Sequence, residues 1–131
     1  MMASMRGRTK TDWWGVVLEA PDGAALAGFY SQLLGWPIAK DDPNGAAIQV
    51  PGTSSYLAFN TSENYVRPTW PSRDGQQQMM LHVDIAVDDV AGAMADAVEL
   101  GATVADFQPQ DDVRVLLDPA GHPFCLYLDT E

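Results

Sequence analysis

The second half of this chain repeats the first. Shifted by 67 positions, "GVVLEAPDGAAL" at 15–26 falls on "HVDIAVDDVAGA" at 82–93. Val16, Leu18, Ala20 and Asp22 land on Val83, Ile85, Val87 and Asp89. In each segment apolar residues alternate, as along a strand with one buried face. Each run then breaks at an aspartate suited to cap a helix N-terminus. Self-similarity of this kind restricts the fold to two like modules.

A helical stripe follows in both halves. Leu26, Phe29, Tyr30 and Leu33 recur at i, i+3, i+4 and i+7, and Gly35 ends the stretch. Val90, Ala93, Met94, Ala97 and Leu100 form the second stripe, closed by Gly101. This is the spacing of a helix with one face on a core. Short strand-like runs come next, at about 37–40, 46–50 and 56–60, then at about 103–107, 113–117 and 124–128. The turn-rich stretches "DDPNG", "PGTSS", "QPQDD" and "DPAGHP" separate them. The plan is β-α-β-β-β twice: module one over about 12–60, a polar linker over about 61–79 and module two over about 80–131. Residues 1–11, basic and without a following apolar stretch, are expected to be a disordered tail rather than a secretory signal.

Composition narrows the function. Hydrophobic residues at 47% and charged residues at 19% fit a chain that buries a core. The formal net charge is −11, and beyond position 11 only Lys40, Arg67, Arg73 and Arg114 are basic. Such a field repels phosphate backbones and anionic membranes, so neither nucleic acid nor membrane is an expected partner. Nothing approaches the roughly 20 apolar residues of a membrane span. A single cysteine, Cys125, forms no intrachain disulfide and fits a reducing cytoplasm.

The duplicated plan, with "LAGFYSQLLGW" (26–36), "YLAFN" (56–60), "RPTWP" (67–71), "LHVDIAVDDV" (81–90) and "LLDPAGHPFCLYL" (116–128), resembles the vicinal oxygen chelate superfamily of glyoxalases, extradiol dioxygenases and bleomycin-resistance proteins. Within it the sequence is most similar to the glyoxalase-like domain group, from Trp13 to Asp129. The resemblance implies an α+β fold in which two βαβββ modules make a cupped, eight-stranded mixed sheet with the helices outside. It also implies a homodimer. Strand alternation then assigns faces: Val83, Ile85 and Val87 meet the helix, so His82, Asp84 and Ala86 line the cup. Gly15, Val17 and Glu19 join them, with Tyr56, Ala58, Asn60, Cys125 and Tyr127.

Metal-dependent members carry four ligands, usually His or Gln, Glu, His and Glu. The resemblance places these positions seven residues before each helix-starting aspartate, on the fourth strand, and seven after the aspartate of the "DP-x-G" turn. Here they are Gly15, His82, Tyr56 and Cys125. Glycine has no donor and a tyrosine is an unusual ligand, so no metal and no other cofactor is expected. A shifted set drawing on Glu19 or Asp84 is the alternative.

His82 and Asp84 stand two residues apart on one strand face, their Cα atoms about 6.5–7 Å apart, close enough to couple. As a catalytic pair they would suit proton transfer next to a carbonyl. The plainer alternative is a histidine left at an inherited position and bonded to a neighbour or water. Cys125 reads as a small buried hydrophobe sooner than as a nucleophile, since nothing basic flanks it. His122 reads as a turn residue behind a positive-φ Gly121. Trp36 and Phe124 read as core, and Trp13 and Trp14 as sheet-edge or dimer contacts. Trp70, in a proline-bracketed segment, is placed over the cup mouth, with packing against core or a partner subunit as its alternative.

The resulting expectation is a metal-independent small-molecule site of Glu19, Tyr56, Asn60, Trp70, His82, Cys125 and Tyr127. It would take an aromatic or carbonyl-bearing metabolite, or sequester a cationic one. Two other classes compete: a lyase or isomerase acting on a carbonyl substrate, with or without metal, in which His82 is the acid–base group beside Asp84 or the sole recognisable metal ligand, and an accessory domain acting through a protein partner.

Overall fold

The computed structural model describes residues 5–8, 10 and 12–129. Much of the tail expected over 1–11 lies outside the described residues. Ten elements follow in the order that the repeat demands: β1 (Gly15–Ala20), α1 (Gly23–Leu34), β2 (Ile38–Asp42), β3 (Gly45–Gln49), β4 (Tyr56–Thr61), then β5 (Val83–Val87), α2 (Val90–Leu100), β6 (Thr103–Val104), β7 (Val113–Leu117) and β8 (Pro123–Leu128). Each half makes one four-stranded mixed sheet, ordered β1-β4-β3-β2 and β5-β8-β7-β6. β1 runs parallel to β4, and β5 parallel to β8; the remaining pairs are antiparallel. The eight strands thus form two βαβββ modules as expected, and each sheet is laddered only within itself among the described residues.

Both helices start where the aspartates placed them. Asp22 accepts from the amide of Ala25 at 3.1 Å, and Asp89 from that of Gly92 at 2.9 Å. Gly35 closes α1 at φ 71°, a left-handed cap that a side chain would strain.

The alternation assigned the faces correctly. Leu18, Ala20, Ile48, Leu57 and Phe59 of the first sheet are buried beneath Leu26, Ala27, Phe29 and Tyr30 of α1. In the second module Leu116, Phe124 and Leu126 are buried, while α2 buries only Ala97 and keeps Val90, Ala93, Met94 and Leu100 half-covered. Phe124 is core as expected, and Trp36 is half-buried against it.

α1 also joins the modules. The Phe124 ring of β8 meets Phe29 at 6.0 Å and Tyr30 at 6.1 Å, both edge-on. Tyr30 stacks on Phe59 of its own sheet at 5.5 Å and donates its hydroxyl to Asp118 of the second module at 2.8 Å.

One expected strand is short. The run over 103–107 pairs as a strand only at Thr103–Val104. The Gln108 side chain then takes over the pairing: its amide donates to the carbonyls of Ala105 and Val115, and its oxygen accepts from the Val115 amide at 2.8 Å. A side chain occupies the groups that a longer edge strand would use.

Candidate functional site

The outer face of the first sheet is built from alternate residues of three strands. Gly15 pairs with Tyr56, Val17 with Ala58 and Glu19 with Asn60. On the other side of β4, Gly45, Ala47 and Gln49 face Asn60, Ala58 and Tyr56. Small residues in the middle and large ones around them leave a hollow of about 630 Å³, a size suited to a drug-sized ligand. Tyr56, Asn60, Gln49, Lys40 and Trp13 line it. The 12–14 segment is held there by local bonds. Asp12 accepts from the Ser54 amide at 2.8 Å, and the Tyr56 amide donates to the Trp14 carbonyl at 3.2 Å.

Gly15 matters here through the atom it lacks. A Cβ at this position would collide with the ring of Tyr56, its partner across the parallel ladder. The aromatic side chain therefore occupies the space over β1 where any larger residue would begin.

On the outer face of the second sheet, His82 Nε2 lies 3.2 Å from Asp84 Oδ1, with both side chains well exposed. Cys125 sits directly across the ladder from Asp84. Burial pushes the Cys125 thiol up, and the Asp84 charge and the hydrogen bond to it act in the same direction. The thiol is held protonated, the opposite of an activated nucleophile. One donor atom from each of His82, Asp84 and Cys125 falls within 4.8 Å of the other two. Tyr127 stands further along β8, paired with Ala86 and exposed.

The site residues named from the sequence thus fall into separate groups. Tyr56 and Asn60 share the large hollow, while His82, Asp84 and Cys125 form a cluster on the other module. Glu19 lines a smaller cavity of about 300 Å³ between β1 and the linker, with Tyr65 and His122. Trp70 donates its indole N–H to the Phe107 carbonyl at 3.1 Å and packs on that ring at 5.9 Å. It lines a third cavity, beside Thr103 and Leu117, that includes neither Tyr56 nor His82.

Some contributors were given another role from the sequence, as Trp13 was at a sheet edge or dimer contact, or were not singled out. Trp13, Lys40 and Gln49 line the hollow, and applying the alternation to β3 would have found Gln49. His122, read as a turn residue, is buried. Its Nδ1 lies 2.9 Å from Asp118 Oδ2 and its Nε2 lies 3.3 Å from the Tyr65 hydroxyl. Gly121 before it has φ 94°, as expected for the turn.

The four positions that bind metal in metal-dependent relatives do not fit such a centre here. Gly15 gives no donor, and the Tyr56 ring fills the space over it. Only His82 and Cys125 then bring an ordinary metal donor, two of the four positions.

A family model described as a glyoxalase-like domain matches residues 15–127. The chain belongs to the glyoxalase-like domain family. With it comes membership of the vicinal oxygen chelate superfamily, as the motifs implied. A glyoxalase/bleomycin resistance protein/dioxygenase family enzyme from Burkholderia phytofirmans PsJN has the same fold, with TM-score 0.64 and 20% identity over 89% of this chain and 98% of that one. A glyoxalase family protein from Enterococcus faecalis gives TM-score 0.61 and 20% identity over 86% of this chain and 94% of that one. A glyoxalase-related enzyme from Fulvimarina pelagi gives 0.59 and 20%, over 87% and 86%. No curated protein matches the chain. At such identities the likeness establishes fold, and this glyoxalase-like domain's chemistry has to come from its own residues. Among the described residues no helix is long and apolar enough to cross a membrane.

Proposed function

We propose that this glyoxalase-like domain binds an aromatic or carbonyl-bearing small molecule in the hollow on its first sheet, and that it does so without a metal ion. The observation that carries this reading is the Tyr56 ring over Gly15. It replaces a ligand position with an aromatic surface in a cavity of about 630 Å³. Tyr56 and Trp13 offer flat apolar contact, while Asn60 and Gln49 offer amide donors and acceptors for a carbonyl or hydroxyl group. The net charge of −11 draws cationic compounds toward the surface, so sequestration of a cationic drug belongs to the same reading.

Calorimetry with chelator-treated protein tests it, using metal-free bleomycin and a panel of neutral aromatic ketones. Saturable binding by either, weakened by Tyr56→Ala and Asn60→Ala, supports the reading. A flat response across both sets removes it.

A second reading rests on the 3.2 Å pair of His82 and Asp84. An imidazole steadied by a carboxylate can move a proton next to a carbonyl, as a lyase or isomerase requires. Loss of turnover of a hemithioacetal or keto substrate in His82→Ala would support it, and unchanged turnover would not.

We also read the protein as a homodimer. Trp14 is 57% exposed, an apolar surface that a second copy would cover. Elution as a monomer at micromolar concentration would contradict this.

A further inference from the structure

β2 departs from regular pairing where it borders the hollow. Ile38 opposes Ile48, and an unbroken antiparallel ladder would then set Ala39 against Ala47 and Lys40 against Ala46. The register instead shifts between Ile38 and Lys40, so that Lys40 opposes Ala47, Asp41 opposes Ala46 and Asp42 opposes Gly45. Ala39 is the extra residue of a β-bulge, a device that re-aims the side chains after it. The consequence is large for Lys40. Ala46 and Ile48 are buried in the core under α1, whereas Ala47 lines the hollow. Without the bulge Lys40 would fall on the core face, where a charge is costly. With it, Lys40 is exposed and is the only basic residue lining the hollow among the described residues.

Register also fixes what stands around it. Three rows of partners cross the sheet: Gln49, Tyr56 and Gly15; then Lys40, Ala47, Ala58 and Val17; then Asp42, Gly45, Asn60 and Glu19. Lys40 therefore begins the row next to Tyr56, and its immediate neighbours across the sheet are two alanines. Strands lie about 4.8 Å apart, so a four-carbon stem is long enough to extend over Ala47 toward Ala58. Among the described residues no ion pair holds the Lys40 ammonium, although Asp42 stands two residues away on the same face. Asp42 lies in the row on the far side of Lys40 from Tyr56. An anion over the Tyr56 side thus has the lysine between itself and that carboxylate.

We infer that Lys40, turned onto this face by the bulge, is the specificity-determining residue of the hollow and selects an aromatic carboxylate. The ring lies on Tyr56 and the carboxylate accepts from the Lys40 ammonium, a charge-assisted bond. This rests on the proposed binding at Tyr56 and narrows it: a neutral aromatic ketone fits the same floor but gives Lys40 no charge to meet. The net charge of −11 slows the approach of an anion without cancelling the local contact, because charges farther off than about 10 Å are largely screened at ordinary salt.

A matched pair of ligands tests it. Hydrocinnamate and benzylacetone share a phenylethyl group and differ in ending in a carboxylate or a methyl ketone. Both are titrated by calorimetry into the full-length, chelator-treated protein. The expected result is that both bind the wild type, hydrocinnamate about tenfold more tightly, the lower end for a bond to a charged group because the site is open to water. Lys40→Met keeps an apolar stem and should erase that preference, whereas Lys40→Arg keeps the charge and should retain most of it. Comparing two ligands on one variant cancels any general change in the fold. Equal affinities in the wild type, or a preference that survives Lys40→Met, would overturn the inference while leaving binding at Tyr56 in place. Failure of both compounds to bind would remove aromatic binding at Tyr56 and this inference with it.

Discussion

The Tyr56 ring and Gly15 share one space: the ring lies where a Cβ on residue 15 would have to be. The pair is set by the register of β1 against β4, so the ligand surface depends on a missing side chain. Gly15→Ala is therefore expected to push the ring aside and weaken ligand binding by about tenfold, equivalent to about 1.4 kcal/mol. Because the clash is with a movable, solvent-facing side chain, the melting temperature should change little. Calorimetry and thermal unfolding on the same sample separate the two effects.

Gly45 is expected to behave differently. A Cβ there would run into the Phe59 backbone carbonyl, which has no freedom to swing away. Gly45→Ala should cost about 1–3 kcal/mol in urea unfolding, the range for overpacking, and should weaken binding too because β3 floors the hollow.

Tyr30 ties the two modules together. Its hydroxyl bonds Asp118, which also accepts from the Ala120 and His122 amides and faces the His122 ring. Tyr30→Phe removes one bond to a buried carboxylate and should cost about 1.5–3 kcal/mol. Asp118→Ala leaves several donors without a partner and should cost more. Equilibrium unfolding ranks the two, and equal stability of Asp118→Ala and wild type would refute this role.

The same network makes the fold sensitive to alkali. Burial, then the Asp118 charge, pushes the Tyr65 hydroxyl up to about 12, and the same causes push Tyr30 well above the usual tyrosine range. Both stay neutral in the fold while unfolded tyrosines ionise near pH 10. A raised folded-state pKa stabilises fully below the unfolded value and is lost as pH rises through the folded one. Unfolding free energy should thus hold up to about pH 10 and decline toward about pH 12. Tyr30→Phe should make that decline shallower, which urea titrations at several alkaline pH values would measure.

Local features were legible in the sequence because local rules set them. Asp22 and Asp89 cap their helices, and Val17, Glu19, Tyr56 and Asn60 take the outer face as alternation requires. What alternation cannot give is the distance between two faces on different modules. That depends on how α1 packs Phe29 and Tyr30 against Phe124 and Asp118, a tertiary matter. Tyr56 and Asn60 line one hollow, His82 and Asp84 cluster with Cys125 on the second sheet, and Trp70 lines a cavity beside Phe107. His122 was obscured for the same reason: its turn is local, but its burial against Asp118 and Tyr65 is not.

The most direct test of a metal-independent site at Tyr56 is a backbone amide NMR titration of the chelator-treated protein with metal-free bleomycin and with a neutral aromatic ketone. The expected result is saturable shift changes centred on Gly15, Ala47, Gln49, Tyr56 and Asn60, absent in Tyr56→Ala. Shifts confined to residues around His82 and Cys125, or binding that appears only when a divalent metal is restored, would contradict it.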